Sequence, residues 1–194
     1  MPPSGEEVWM LGDRFDDVLR RAALGEEVAF ADLYRDVHPP LLRYLRTLAW
    51  EHAEDAASET WLELARGLTT FSGSEGQFRS FVFTVARRKL IDRVRWEARR
   101  PTAAWEPGVE DGPTEPDVAD RVLEDDATYR ALALVRTLPP DQAEAVILRV
   151  VAGLEYADVA EVMERSPAAV RVLVHRGLRR LETRLSQRTR GVTP

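Results

Sequence analysis

The segment PTAAWEPGVEDGPTEPDVAD, residues 101–120, carries four prolines and two glycines and shows no apolar period. Proline fixes φ and lacks a backbone N–H, so neither a helix nor a sheet ladder runs through such a stretch. Rich in acids as well, it reads as an extended, flexible linker. It divides the chain of 194 residues into two parts, each with room for one small domain. Neither part contains a period-two run bounded by turn dipeptides, the mark of a strand. Apolar residues recur at helical spacing instead. The expected fold is all-α: two small helical domains joined by a flexible acidic linker, the C-terminal one with a helix-turn-helix. The expected boundaries are an N-terminal extension over 1–13, a domain over 14–100, the linker over 101–125, a second domain over 126–187 and a tail over 188–194.

Punctuation residues set the helices. The pattern predicts one from about Arg14 to Leu24, stopped by Gly25, and another from about Phe30 to Trp50, interrupted at Pro39-Pro40. A third spans about Glu54 to Leu68, and a long one about Phe78 to Arg99, ending before Pro101. Beyond the linker come helices at about Asp126–Thr137, Pro140–Gly153, 155–164 and 167–187. The third-last follows the rule of proline first and glycine last.

Charge is laid out in blocks. The formal net charge is −6, yet residues 1–76 carry −8, 77–100 carry +6, 101–128 carry −8 and 129–194 carry +4. Two basic blocks set between acidic ones point to local contacts with a polyanion. The acidic remainder predicts weak DNA binding by the free chain. Lys89 is the only lysine among 27 basic residues, so the choice of arginine at any one site says little.

Other classes are excluded by what is missing. No apolar run approaches 18 residues, and the N-terminus MPPSGEEVWMLGDRF lacks the basic-then-apolar order of a secretion signal. There is no cysteine, hence no disulfide framework or thiolate chemistry. The expected location is the cytoplasm. His38, His52 and His175 are scattered, and no P-loop, glycine-rich cradle or metal-ligand spacing occurs. No catalytic residue, metal, cofactor or small-molecule substrate is expected, and the chain reads as a binding protein rather than an enzyme.

Two helices carry the basic blocks. At 100° per residue, Val170, Val174, Gly177, Leu178, Leu181 and Leu185 of the last helix share one stripe. Ala168, Val172, His175, Arg176 and Arg179 lie opposite, with Arg171 at the border. With the short preceding helix and a tight turn at ERSP, this predicts a helix-turn-helix whose second helix enters the major groove. A forked guanidinium matches the O6/N7 edge of guanine. In the long helix, Phe83, Ala86, Leu90 and Val94 share one side; Arg88, Asp92, Arg95 and Arg99 recur on the other, with Trp96 nearby. Cations beside an exposed ring suit single-stranded nucleic acid.

The stretches AFADLYRDVHPPLLRYLR, AEDAASETWLELARGLTTFSG, FRSFVFTVARRKLIDRVRWEARR, LPPDQAEAVILRVVAGLEYADVAEVM and AVRVLVHRGLRRL resemble, in order and spacing, the extracytoplasmic-function (ECF) sigma factors of bacteria. The resemblance implies an alternative sigma factor that binds core RNA polymerase, at the clamp and flap, and directs promoter-specific initiation. It implies that Glu54, Asp55, Ser58, Glu59, Leu62 and Arg66 dock on the clamp of the largest subunit. For the downstream (minus-ten) element it implies melting and base capture by Phe71, Ser72, Arg79, Arg88, Lys89, Asp92, Arg95, Trp96 and Arg99. For the upstream (minus-thirty-five) element it implies reading by Arg165, Ser166, Ala168, Arg171, Val172, His175, Arg176 and Arg179. It also implies an anti-sigma factor as partner. Among the departures from the family's pattern, Glu164 stands in a turn where glycine is common. The alternative is a stand-alone helix-turn-helix regulator, which would bind a palindromic duplex tightly without polymerase.

Overall fold

Helix boundaries in the computed structural model, which describes residues 11–99 and 126–190, follow from local capping chemistry. Expectations for the extension before residue 11, the linker over 101–125 and the end of the tail lie outside those residues. Eight α-helices occur among the described residues, and no strand does: α1 Phe15–Ala23, α2 Glu27–Leu48, α3 Ala53–Gly67, α4 Glu75–Arg99, α5 Asp126–Arg136, α6 Pro140–Val150, α7 Tyr156–Val162 and α8 Pro167–Arg190. None is long and apolar enough to cross a membrane. Past the end of α1, the Gly25 N–H donates to the Ala22 carbonyl and the Glu26 N–H to the Arg21 carbonyl. Gly25 itself sits at φ +88°. These are the two bonds of a Schellman cap, which needs a left-handed residue at that point.

Two of the differences from the expected helices have identifiable causes. Helix α4 starts at Glu75 because Ser74 and Gln77 form a reciprocal capping box: the Gln77 N–H donates to Ser74 Oγ at 3.3 Å and the Ser74 N–H to Gln77 Oε1 at 2.9 Å. Helix α2 runs unbroken through Pro39 and Pro40, where an interruption is predicted. The penalty for an internal proline is local. Leu33, Val37, Leu41, Tyr44 and Leu45 are all buried on both sides of it, and this burial outweighs the lost hydrogen bonds.

Helix α2 is the axis of the first half. Its buried face meets Trp61 and Leu64 of α3 and Phe78, Val82, Phe83 and Ala86 of α4. Tyr44 crosses the Phe83 ring edge-on at 5.3 Å between centroids. In the second half Ile147, Leu148, Leu154, Val159, Val170 and Val174 are buried together. The two halves touch: α2 packs on α5 and α6, and α4 packs on α7. Their buried apolar residues form one contiguous cluster.

The apolar stripes are partly corrected. Val170, Val174 and Gly177 of α8 face inward, but Leu178 is 43% exposed and Leu185 is exposed too. Only α6 and α7 flank α8 closely, so its inward face is narrower than its apolar stripe. Leu173 is half-buried against the core instead. Gly177 makes the close approach possible, since a Cβ there would lie 2.6 Å from Val146 Cγ2. In α4, Phe83, Ala86 and Leu90 are buried, whereas Val94 is 42% exposed.

Candidate nucleic-acid interface

Helices α7 and α8 form a helix-turn-helix built from three caps. Glu155 and Asp158 make a capping box at the start of α7. At its end the Glu164 N–H donates to the Glu161 carbonyl at 3.1 Å and the Arg165 N–H to the Ala160 carbonyl at 2.9 Å. This is the Schellman pattern seen after α1, but the left-handed residue is Glu164, at φ +54°. A residue with a Cβ pays roughly 1–2 kcal/mol there; the turn keeps its geometry and bears the strain. Ser166 then caps α8 by accepting the Ala169 N–H at 3.2 Å, and Pro167 takes the first helical position, where no N–H is needed.

On α8 the outward face carries what the periodicity expects. Ala168, Arg171, Val172, His175, Arg176 and Arg179 are exposed, as are Arg165 and Ser166 in the turn. Among the described residues no carboxylate lies within ion-pair distance of Arg176 or Arg179. Arg171 lies over the Tyr156 ring, 5.4 Å from its centroid, and Arg165 pairs with Asp141 at 2.7 Å. Two further arginines of this helix hold it in place. Arg180 donates to Gln142 Oε1 at 3.1 Å and Arg184 to the Thr137 carbonyl at 3.0 Å.

Helix α4 treats its cations differently. Arg79, expected to contact the downstream element, is 2% exposed and pairs with Asp36 at 2.6 Å. It leaves the set of DNA contacts: its phase on α4 turns it into the core, where burial lowers its pKa against the pull of Asp36 and Glu75. Arg88 and Lys89 both pair with Glu63 of α3. Bonding to Lys89 and Arg88 holds the Glu63 carboxyl below its ordinary range, against partial desolvation. Asp92, Arg95 and Arg99 are exposed, and Trp96 is 52% exposed. Phe71 is half-buried, with its ring against Phe78 and Phe81. Beside it, exposed Ser72 helps line a 470 Å³ cleft closed by Asp16, Leu19 and Leu24 of the α1 region.

The acidic face of α3 is exposed as expected at Glu54, Asp55, Ser58, Glu59, Leu62 and Arg66. Its charges are partly answered from within the molecule. Glu54 accepts from Arg46 at 2.8 Å, while Arg93 of α4 reaches Asp55 and also Glu59, the latter at 3.2 Å. Arg93 is thus a residue that sequence reasoning passed over; its place one position beyond Asp92 in the basic block was the available signal.

Between the halves, Glu144 of α6 accepts from Tyr44 Oη at 3.0 Å and from Arg87 Nε at 2.8 Å. Burial, with Glu144 alongside, pushes the Tyr44 hydroxyl well above its ordinary range, so it donates as a neutral phenol. Sequence spacing offers no signal for this triad, whose members lie 100 and 57 positions apart.

The chain matches two family models, "Sigma-70 region 2" over residues 33–100 and "Sigma-70, region 4" over 129–181. It is 32% identical over 182 residues to the ECF RNA polymerase sigma factor ShbA of Streptomyces griseus, covering 88% of this chain and 94% of that one. It is 29% identical over 179 residues to the ECF RNA polymerase sigma factor SigD of Mycobacterium tuberculosis, covering 89% and 84%. Among solved structures, CnrH in complex with the cytosolic domain of CnrY is similar in fold, with a TM-score of 0.59 at 20% identity, over 88% of this chain and 96% of that one.

Proposed function

The chain belongs to the ECF RNA polymerase sigma factors, and from that premise we propose how its two halves divide the work of directing transcription initiation. The observation that carries this reading is the outward face of α8, where His175, Arg176 and Arg179 stand clear of the core behind a fully capped turn. That arrangement suits a helix laid in the major groove, with Arg176 on a base edge and Arg165, Arg171 and Arg179 among the phosphates. Ser166, Ala168 and Val172 complete the upstream contact surface.

The first half opens the downstream element. Arg88, Lys89, Asp92, Arg95, Trp96 and Arg99 follow the separated strand, and the cleft beside Phe71 and Ser72 receives an extruded base. Unstacking a base costs a few kcal/mol, which a fitted pocket recovers in part. Glu54, Asp55, Ser58, Glu59, Leu62 and Arg66 form the polymerase-docking face, with Leu62 as its apolar centre. The domains follow the boundaries 14–100 and 126–187, joined by the acidic segment. The protein acts in the cytoplasm, catalyses nothing itself, and is held in check by an anti-sigma partner, as CnrH is found in complex with the cytosolic domain of CnrY.

Run-off transcription with core polymerase tests the proposal. Promoter-specific transcripts should arise only when core and this protein are combined. Equal transcripts from core alone would refute it, and tight binding to a palindromic duplex without polymerase would favour a stand-alone regulator.

A further inference from the structure

We infer that Glu75 is a positioning residue: its carboxylate clasps the turn before α1 to the start of α4 and so sets the cleft beside Phe71 and Ser72. The inference rests on the proposed role of that cleft in receiving an extruded base, and names what holds its two walls at their spacing.

The walls come from separate segments. Leu19 and Leu24 belong to the α1 side, and Phe71, Ser72 and Gly73 to the loop before α4. Both sides lean on one ring of α4, since Phe78 lies 5.7 Å from Phe15 of α1 and 5.4 Å from Phe71. Apolar contact is non-directional. It brings the walls together without fixing the angle at which α1 begins.

A directional contact ties the same pieces. A helix start leaves its first N–H groups without partners, and neither Leu11 nor Arg14 makes a local side-chain cap here. Glu75 supplies the cap from 63 positions away: the Gly12 N–H donates to Glu75 Oε2 at 3.1 Å, and the Leu11 N–H adds to it. A carboxylate suits such an end because the helix dipole is positive there. Gly12 turns at φ +50° to present these groups, a left-handed conformation open to glycine. Glu75 is also the first residue of α4, directly after Ser74 of the capping box. The clasp therefore joins the start of α1 to the end of the loop.

The carboxylate is held there against a cost. Glu75 Oε1 is buried and finds no donor among the described residues. Burial, with Asp36 of α2 nearby, pushes the carboxyl above its ordinary range against the pull of Arg79. Buried acceptors are normally satisfied, so stability alone is a weak reason for a carboxylate at this position.

Holoenzyme assembled from core polymerase and the full chain supplies the test. The promoter is one mapped by run-off, and its opened strand is scanned by replacing one base at a time with an abasic site. In the unmodified protein, loss of the captured base should weaken binding about tenfold, and loss of its neighbours less. Glu75→Ala should cut that penalty to about twofold, because a misplaced wall no longer tells a base from a gap. Glu75→Gln keeps an oxygen for the Gly12 N–H and should retain the full penalty. The penalty is a ratio taken within each variant, so a general loss of stability or of polymerase docking cancels from it.

An undiminished penalty in Glu75→Ala overturns the clasp, as does a penalty lost equally in Glu75→Gln. If Glu75→Ala fails to fold, Gly12→Ala replaces it. Its Cβ meets no atom within 4 Å but is strained at that positive φ, and an undiminished penalty there overturns the clasp likewise. If no position of the opened strand shows a penalty in the unmodified holoenzyme, base capture itself is wrong and the inference falls with it.

Discussion

Helices α4 and α8 are both long, both rich in arginine and both buried along one side, but they put their cations to different uses. In α8 the helical phase separates two kinds of arginine. Arg180 and Arg184 bond to the elements beneath, whereas Arg176 and Arg179 make no ion pair with a described carboxylate. In α4 most of the positive charge is turned to internal work: Arg79 to Asp36, Arg87 to Glu144, Arg88 and Lys89 to Glu63, and Arg93 to Asp55 and Glu59. A basic block is therefore not by itself a nucleic-acid surface. What decides is whether acids of neighbouring helices stand within reach of it.

The contrast predicts a graded set of effects. The largest belongs to the pair inside the core. Asp36→Ala removes the carboxylate that meets the buried Arg79 guanidinium at 2.6 Å, and chemical denaturation should register a loss of about 3 kcal/mol, the low end for breaking a buried pair because Glu75 still acts on Arg79. A loss below 1 kcal/mol would mean that Arg79 escapes to solvent and can rejoin the DNA-contact set.

Next comes the seat of α8. Gly177→Ala would place a Cβ 2.6 Å from Val146 Cγ2, and overpacking of this kind costs about 1–3 kcal/mol. Thermal unfolding should show the destabilisation; an unchanged midpoint would show that α8 can slide on α6.

On the outward face, Arg176→Ala should leave unfolding unaltered and weaken binding to the upstream element within the polymerase complex by about 1–3 kcal/mol, with relaxed base preference. Uniform weakening across sequences, with a shallower salt slope, would instead make Arg176 a phosphate contact.

The smallest effect lies at the α3–α4 ion pairs. Arg88→Ala should shift stability by no more than about 0.5 kcal/mol, since its pair with Glu63 is largely exposed. The Glu63 carboxyl is held below its ordinary range. Its contribution is therefore present above the unfolded carboxylate pKa of about 4.3 and fades as pH falls through the lower folded value. Acid titration of the Arg88→Ala variant should show that loss reduced; an identical acid limb in both proteins would separate Glu63 from acid stability.

Much of this was legible in the residues. Val170 and Val174 recur at helical spacing, so both the inward side of α8 and its outward arginines could be phased from sequence. Gly25 and the paired prolines at 139–140 marked helix ends because their backbone chemistry acts locally. The errors have physical causes too. Pro39-Pro40 looked like a break because propensity counts only the local penalty, while buried neighbours on both sides keep α2 continuous. Arg79 looked like a DNA contact because a charge belongs in water unless a partner is buried with it, and that partner, Asp36, is 43 residues away.

Periodicity, capping residues and the proline-rich acidic segment thus determined an all-helical chain in two parts and the helix-turn-helix near its end, since each rests on interactions between neighbours in sequence. Tertiary structure alone decided which cations are free, that α4 faces α7, and that Glu144 finds Tyr44 and Arg87. Those outcomes depend on which charges meet when distant helices pack, and desolvation makes each meeting matter only after the chain has folded.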